Sequence, residues 1–402
     1  MTLTDAIELI KPGMTVFVHG SATEPRALVD ALHESSERLR DVHIITSFIP
    51  GINTVDIAGL AEGQRYTSFM ASAVKPDAPG SREALRLPYS ALSDYLTNLP
   101  QLDLAFIHGR VIGGGRVSTG LTGELLRAAV ARTERYCLLD NQSLSLPADG
   151  CELREPDYHC ALEQPLIEYL PGGRADDVSL QIAQHVADLI PDGATLQAGL
   201  GVIPSEVFAL LKDRKNLRIM SGMVSDALVP LAESGALDPS HEQIFGMALG
   251  SQSLYAWLDG RSGFRVADCS ETHNRDVLRS IDGFHAVNSA LEVALDGSIN
   301  SEQLGSRIVS GPGGLPDYAF GGTHSADGAS VIALPASNRK RGISRIVKRL
   351  ANHNSPTLQP GNVTHVVTEY GVADLRTPDP LERATRLIAI ADPEHRAMLQ
   401  GA

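Results

Sequence analysis

Apolar residues in this chain fall into short runs, separated by stretches in which they recur every three or four positions. Thr15–Val18, Val42–Ile45, Leu104–Ile107 and Tyr136–Leu139 are such runs in the first half; Thr195–Gln197, Leu217–Met220, Ser330–Leu334 and Val363–Val367 are their counterparts in the second. Short apolar runs bounded by Gly and Pro read as buried strands, and the segments with helical spacing between them read as covering helices. The alternation predicts an α/β fold with parallel or mixed sheets. Residues 1–10 read as a capped amphipathic helix, and Val178–Leu189 as a second one.

The pattern also repeats. Leu9-Ile-Lys-Pro-Gly-Met-Thr-Val-Phe-Val-His-Gly20-Ser-Ala-Thr-Glu-Pro25 lies over Leu189-Ile-Pro-Asp-Gly-Ala-Thr-Leu-Gln-Ala-Gly199-Leu-Gly-Val-Ile-Pro204. In each copy a helix ends, a turn feeds an apolar strand, and a glycine loop leads to a proline where a helix can open. Asp41–Ile49 and Asn216–Val224 extend the match. Two related α/β halves follow, 1–175 and 176–402, with the seam in the Pro- and Gly-bearing stretch Gln164–Asp177. An active-site cleft is expected between them.

Charge narrows the function classes. With 34 Lys and Arg against 48 Asp and Glu, the formal net charge is −14, which argues against nucleic acid or an anionic membrane surface as partner. No apolar run approaches the roughly 18 residues of a membrane span, and the first residues lack an export-signal pattern, so a cytoplasmic protein is expected. Four irregularly spaced cysteines, Cys137, Cys151, Cys160 and Cys269, read as reduced thiols. The cluster Cys151…His159-Cys160 lacks the paired spacing of a structural zinc site, and no metal is expected.

Gly199-Leu200-Gly201-Val202-Ile203 joins a strand to a helix, so its backbone N–H groups can face an anion or a carbonyl; a tight turn needing small residues is the plainer use. It lacks the further residues of a dinucleotide fingerprint or a phosphate loop. Ser310–Gly322 holds too many glycines for an element interior and reads as exposed backbone. Arg339-Lys340-Arg341 concentrates positive charge in an acidic chain, either as a solvated run or as an anchor for phosphates. His108–Gly120 reads as another loop, and Glu369 ends an apolar strand, where it serves either a site or a cap.

Leu196–Pro204, Ala248–Tyr255, Ala286–Val293, Ser310–Gly314, Ile343–Val347 and Val367–Ala373, in this order, resemble the acetyl-CoA hydrolase/transferase family, the class I CoA-transferases. The resemblance implies that CoA or acyl-CoA is a substrate rather than a tightly held cofactor, and that a small carboxylate accepts the CoA. It places CoA against Gly199–Ile203, Gly313, Gly314 and Lys340, with Asn288 and Glu369 near the reacting centre. It also implies a homodimer or tetramer, with an intact homologue as a further possible partner.

The family's nucleophile is a glutamate after the second strand of the second half. Here that place reads Met220-Ser221-Gly222-Met223. Glycine can form neither the acyl anhydride nor the glutamyl thioester. Because Ser225-Asp226 and the surrounding loops persist, the loss reads as local, and Gly222→Glu is expected to meet an intact pocket. Three readings stay open: CoA transfer with Glu24 as nucleophile or base, acyl-CoA hydrolysis by activated water, and a catalytically silent CoA-binding protein or subunit.

Overall fold

The apolar runs fold as the strands they predict. The computed structural model describes residues 1–70, 78–170, 173, 175–338, 340–351 and 356–401. Pro171, Gly172 and Arg174 of the seam and Arg339 of the basic loop lie outside the described residues. Two units emerge: Met1–Tyr169 with Ile244–Glu271, and Leu170–Gln243 with Thr272–Ala402.

In the first unit the parallel strands lie in the order Ser81–Ala84, Arg65–Ser68, His43–Thr46, Thr15–Val18, Leu102–Val111, Thr133–Asp140, Tyr158–Ala161. Side chains alternate across the strands, so Val16 and Val18 join one core layer with Leu28 and Leu32 of the Arg26–Glu34 helix, while Phe17 joins the other with Leu92 and Leu96. Burial on both faces is what continuous apolar runs require. His108–Arg110, read from sequence as loop, are strand, because His108 and Gly109 pair with Leu139 and Asp140, and Arg110 with Ser118.

The second unit repeats the plan. Arg218–Val224, Thr195–Ala198, Phe284–Asn288, Ala329–Ala333 and His365–Thr368 are neighbours in parallel register. Gly371–Asp374 closes the edge as an antiparallel strand. The helix after the first strand runs Val202–Leu210, so Pro204 sits inside its first turn rather than opening it; an N–H in that turn has no intrahelical partner to lose.

The second glycine-rich segment differs from its sequence reading. Gly321 and Gly322 lie within the helix Leu315–His324. A methyl at Gly321 would come within 2.7 Å of the Leu278 Cβ, so the small residues let this helix press against its neighbours. No helix among the described residues is long and apolar enough to cross a membrane. The four cysteines are buried, and among the described residues none is paired in a disulfide.

Candidate active site

Parallel α/β sheets gather their site groups at the carboxyl ends of the strands. In the second unit, Ala198 pairs with Val287, which brings Gly199 and Asn288 to one edge. The next pairings, Asn288 with Ile332 and Ala333 with Val367, carry that edge on to Glu369. Asn288 donates to the Gln197 Oε1 at 2.8 Å. This amide pair fixes the Asn288 side chain beside Gly199, whose added Cβ would lie 3.9 Å from the Asn288 Oδ1.

Gly201 has φ 125°, a left-handed value suited to glycine, and from it the helix Val202–Leu210 starts. Gly199, Leu200, Gly201, Val202 and Ile203 are all partly exposed, as are Gly313 and Gly314. Glu369 is buried, and its Oε2 accepts from the Ala336 N–H at 2.8 Å. That bond ties the strand end to the start of the basic loop, so at least one oxygen has a structural task. Lys340 is exposed in the turn between Ser337–Asn338 and Ile343–Ser344.

Position 222 is not an empty socket. Gly222 lies buried in the strand Arg218–Val224. A Cβ there would stand 2.7 Å from the Tyr318 hydroxyl and 2.9 Å from the His273 Nε2, closer than side-chain atoms approach. A Cβ on Gly314 would meet the same rings, at 2.7 Å from the His273 Nε2 and 2.8 Å from the Tyr318 Cε2. Two glycines from separate segments thus clasp one His–Tyr pair. The expectation of a local loss is corrected here: the space that a side chain at 222 needs is filled by two rings.

The pair is held from several sides. His273 and Tyr318 have ring centroids 4.8 Å apart, and Tyr318 also faces Phe284 at 6.3 Å. The His273 Nδ1 lies 3.0 Å from the Thr272 hydroxyl. Arg275, two residues beyond His273, donates through Nε to the buried Asp317 at 2.9 Å, joining that segment to the Tyr318 helix. Burial holds the His273 ring down to about 3, so it is neutral at physiological pH. Ser221 turns its hydroxyl away to the Met223 carbonyl at 2.7 Å.

The first unit concentrates chemistry at the corresponding edge. His19, Ser21, Thr23, Glu24, Ser47, Asn53, Glu124 and Asn141 are all buried there. Ser21 and Glu124 adopt positive φ, 58° and 33°, and the Ser21 hydroxyl donates to the Glu124 Oε2 at 2.8 Å. Asn53 bonds both the N–H and the carbonyl of Ser21. Gln164 donates to the Glu24 carbonyl at 2.7 Å. The loop is therefore fixed by side chains on both flanks.

Glu24 itself is 3% exposed, and its Oε1 has no hydrogen-bond partner among the described residues. Burial pushes its carboxyl up to about 7, against the opposing pull of Arg26 and Asn53. A carboxyl divided between acid and anion at neutral pH suits either proton transfer or nucleophilic attack. Among the described residues no group of three or more His, Cys, Asp or Glu could hold a metal ion.

Reading the sequence alone missed His273 and Tyr318. His273 lies in no motif, Tyr318 lies in the glycine-rich segment Ser310–Gly322 that drew attention only for its glycines, and only the fold brings them to Gly222.

Residues 250–402 match the acetyl-CoA hydrolase/transferase C-terminal domain family. Over 396 residues, 96% of this chain and 92% of the relative, the sequence is 29% identical to a 4-hydroxybutyrate coenzyme A transferase of Clostridium kluyveri. It is 30% identical to a succinyl-CoA:acetate/propanoyl-CoA:succinate CoA transferase of Fasciola hepatica, over 98% of this chain and 85% of that one. Among solved structures, RipA from Yersinia pestis superposes with a TM-score of 0.88 at 24% identity, covering 100% of this chain and 96% of its own, a likeness of fold.

Proposed function

Because this chain belongs to the acetyl-CoA hydrolase/transferase family, we propose that it moves CoA between a short acyl-CoA and a small carboxylate, with Glu24 as the reacting carboxylate. CoA lies against Gly199–Ile203, Gly313 and Gly314, with Lys340 toward its phosphates and Asn288 and Glu369 near the thioester. The carboxylate of Glu24 attacks the thioester carbonyl, and the CoA thiolate leaves. The thiolate then attacks the Glu24 carbonyl of the resulting anhydride and releases the donor acid. The acceptor carboxylate displaces CoA from Glu24 by the same two steps in reverse.

The observation that carries this reading is the state of Glu24: a buried carboxyl with one oxygen lacking a hydrogen bond among the described residues and its pKa raised to about 7. The same value favours a second reading, hydrolysis, in which Glu24 takes a proton from water as the water attacks. Glu369 is the less suited carboxylate because its Oε2 holds a backbone amide.

Exchange of CoA between a labelled short acyl-CoA and acetate, compared with release of free CoA, separates the readings. Exchange that disappears in Glu24→Gln supports transfer; free CoA released without exchange, again dependent on Glu24, supports hydrolysis. Binding of CoA with no turnover over many acyl donors returns the chain to a silent CoA-binding role.

A further inference from the structure

Glu124 is a buried acid that the reaction above does not use. It is 4% exposed, its Oε1 has no hydrogen-bond partner among the described residues, and no Lys or Arg among them comes within ion-pair reach. His19 faces it, with Nε2 3.9 Å from the Glu124 Oε2. Burial of an acid without a cation is unfavourable. What this one receives, among the described residues, is a hydrogen bond from the Ser21 hydroxyl at 2.8 Å.

That bond lands on a constrained turn. Ser21 holds φ 58° and Glu124 φ 33°, left-handed values that a Cβ makes costly. Before Ser21, Gly20 is pressed against the Ser47 backbone, where an added Cβ would stand 2.6 Å from the carbonyl carbon, and its N–H donates to the Ser47 hydroxyl at 3.0 Å. After it, the Ser21 carbonyl accepts from the Glu24 N–H at 3.4 Å and from the Asn53 side chain at 2.9 Å. The backbone of Glu24 thus hangs on Ser21. Glu124 is fixed in its turn by the returning segment Ile244–Glu271: its carbonyl accepts from the Cys269 N–H at 2.8 Å, and the Gly123 N–H donates to the Gly246 carbonyl at 2.7 Å.

We propose that Glu124 is a positioning residue for Glu24: by accepting from the Ser21 hydroxyl it holds the left-handed turn that keeps the Glu24 carboxyl in its buried, reactive setting. This rests on Glu24 as the reacting carboxylate. Without the bond, Ser21 returns to the right-handed or extended backbone that residues with a Cβ prefer. The Ser21 carbonyl turns with it, the Glu24 N–H loses its partner, and the Glu24 carboxyl meets water. The effect of Glu124 is transmitted through Ser21, so its own carboxyl needs no contact with substrate.

Ser21→Gly is the informative variant, because glycine takes a left-handed φ without strain, so the chain folds while the hydroxyl that reaches Glu124 is gone. Glu124→Ala removes the acceptor, and Glu124→Gln keeps a carbonyl oxygen in its place. In whole protein labelled with ¹³C at the glutamate carboxyls, the Glu24 signal, assigned by its absence from Glu24→Gln, is expected to titrate at about 7 in the wild type. Arg26 and Asp30, the charged groups that act on it, are present in every variant. In Ser21→Gly and Glu124→Ala the midpoint should fall toward the ordinary glutamate value as water reaches the carboxyl, and kcat on acyl-CoA should drop about 10-fold or more with KM little changed. Glu124→Gln should keep the wild-type midpoint and at least about a third of kcat. A wild-type midpoint and kcat in folded Ser21→Gly overturn the proposal, even where Glu124→Ala does not fold. Turnover that persists in Glu24→Gln overturns the Glu24 reading instead, and the midpoint in Ser21→Gly still decides whether Glu124 sets that carboxyl.

Discussion

The loop Gly20–Glu24 follows the first strand of one half, whereas Ser221–Gly222 lies within the second strand of the other, and these two places in one repeated plan have opposite contents. The first is crowded with buried polar groups: Ser21 at φ 58° on Glu124, Asn53 clamping its peptide, and Glu24 with an oxygen unmatched among the described residues. The second has no side chain at Gly222, and two rings from elsewhere in its own unit stand within 2.9 Å of where one would begin. A repeat preserves strands, turns and core layers because packing demands them. It does not preserve where the reactive group stands.

The strongest way to break this comparison is to remove the first unit's acid. Glu24→Gln is expected to lower kcat by about 10³-fold or more, the scale of losing a nucleophile or base, read by steady-state kinetics; Glu24→Asp should retain a small part. A Gln variant that turns over like the wild type would move the chemistry back to the second unit.

The same substitution acts on stability with a definite sign. The Glu24 carboxyl titrates at about 7 when folded against 4.5 for an ordinary glutamate, so between those values the unfolded chain has lost a proton that the native state keeps. Stability contributed by this group therefore falls as pH rises from about 4.5 to 7, by roughly 3 kcal/mol in total. Glu24→Gln should be more stable than wild type at pH 8 by up to that amount and nearly equal at pH 4. Urea unfolding at the two pH values measures the difference.

Position 222 gives the reciprocal result. Adding even a methyl forces the Tyr318 hydroxyl and the His273 ring to move, so Gly222→Ala is expected to cost about 1–3 kcal/mol, the range of core overpacking, and Gly222→Glu at least as much without creating transferase activity. Combining Gly222→Ala with Tyr318→Phe should recover part of the loss, a coupling visible in a double-mutant cycle. Additive effects would show that the two positions do not contend for one space. The smallest effect belongs to the exposed Lys340, where Ala is expected to raise KM for acyl-CoA several-fold, about 1 kcal/mol, with kcat unchanged.

Much of the fold was legible because it is written locally. Apolar runs such as Thr15–Val18 and Thr195–Gln197 are strands, and the proline and glycine punctuation repeats in both halves. That residue 222 is a glycine, where the family resemblance leads one to expect a glutamate, was legible for the same reason, as one residue inside a short segment. The rings that flank it were not. His273 lies in a short connection between helices and carries no motif signal, and Tyr318 lies within a helix of the Ser310–Gly322 segment, where the glycines rather than the tyrosine drew the reading. Gly321 and Gly322 misled in the opposite sense, since glycines chosen for close helix packing look like glycines chosen for a loop. The return of Ile244–Glu271 to the first unit is likewise a long-range pairing with no local mark.

The most direct measurement of the central claim is to map the covalent intermediate. The protein is incubated with acyl-CoA, reduced with borohydride to convert any glutamyl thioester to an alcohol, digested, and analysed by mass spectrometry. The account predicts modification on the peptide that carries Glu24, and loss of that signal in Glu24→Gln. An alcohol formed instead at Glu369, or full CoA exchange persisting in Glu24→Gln, would contradict it.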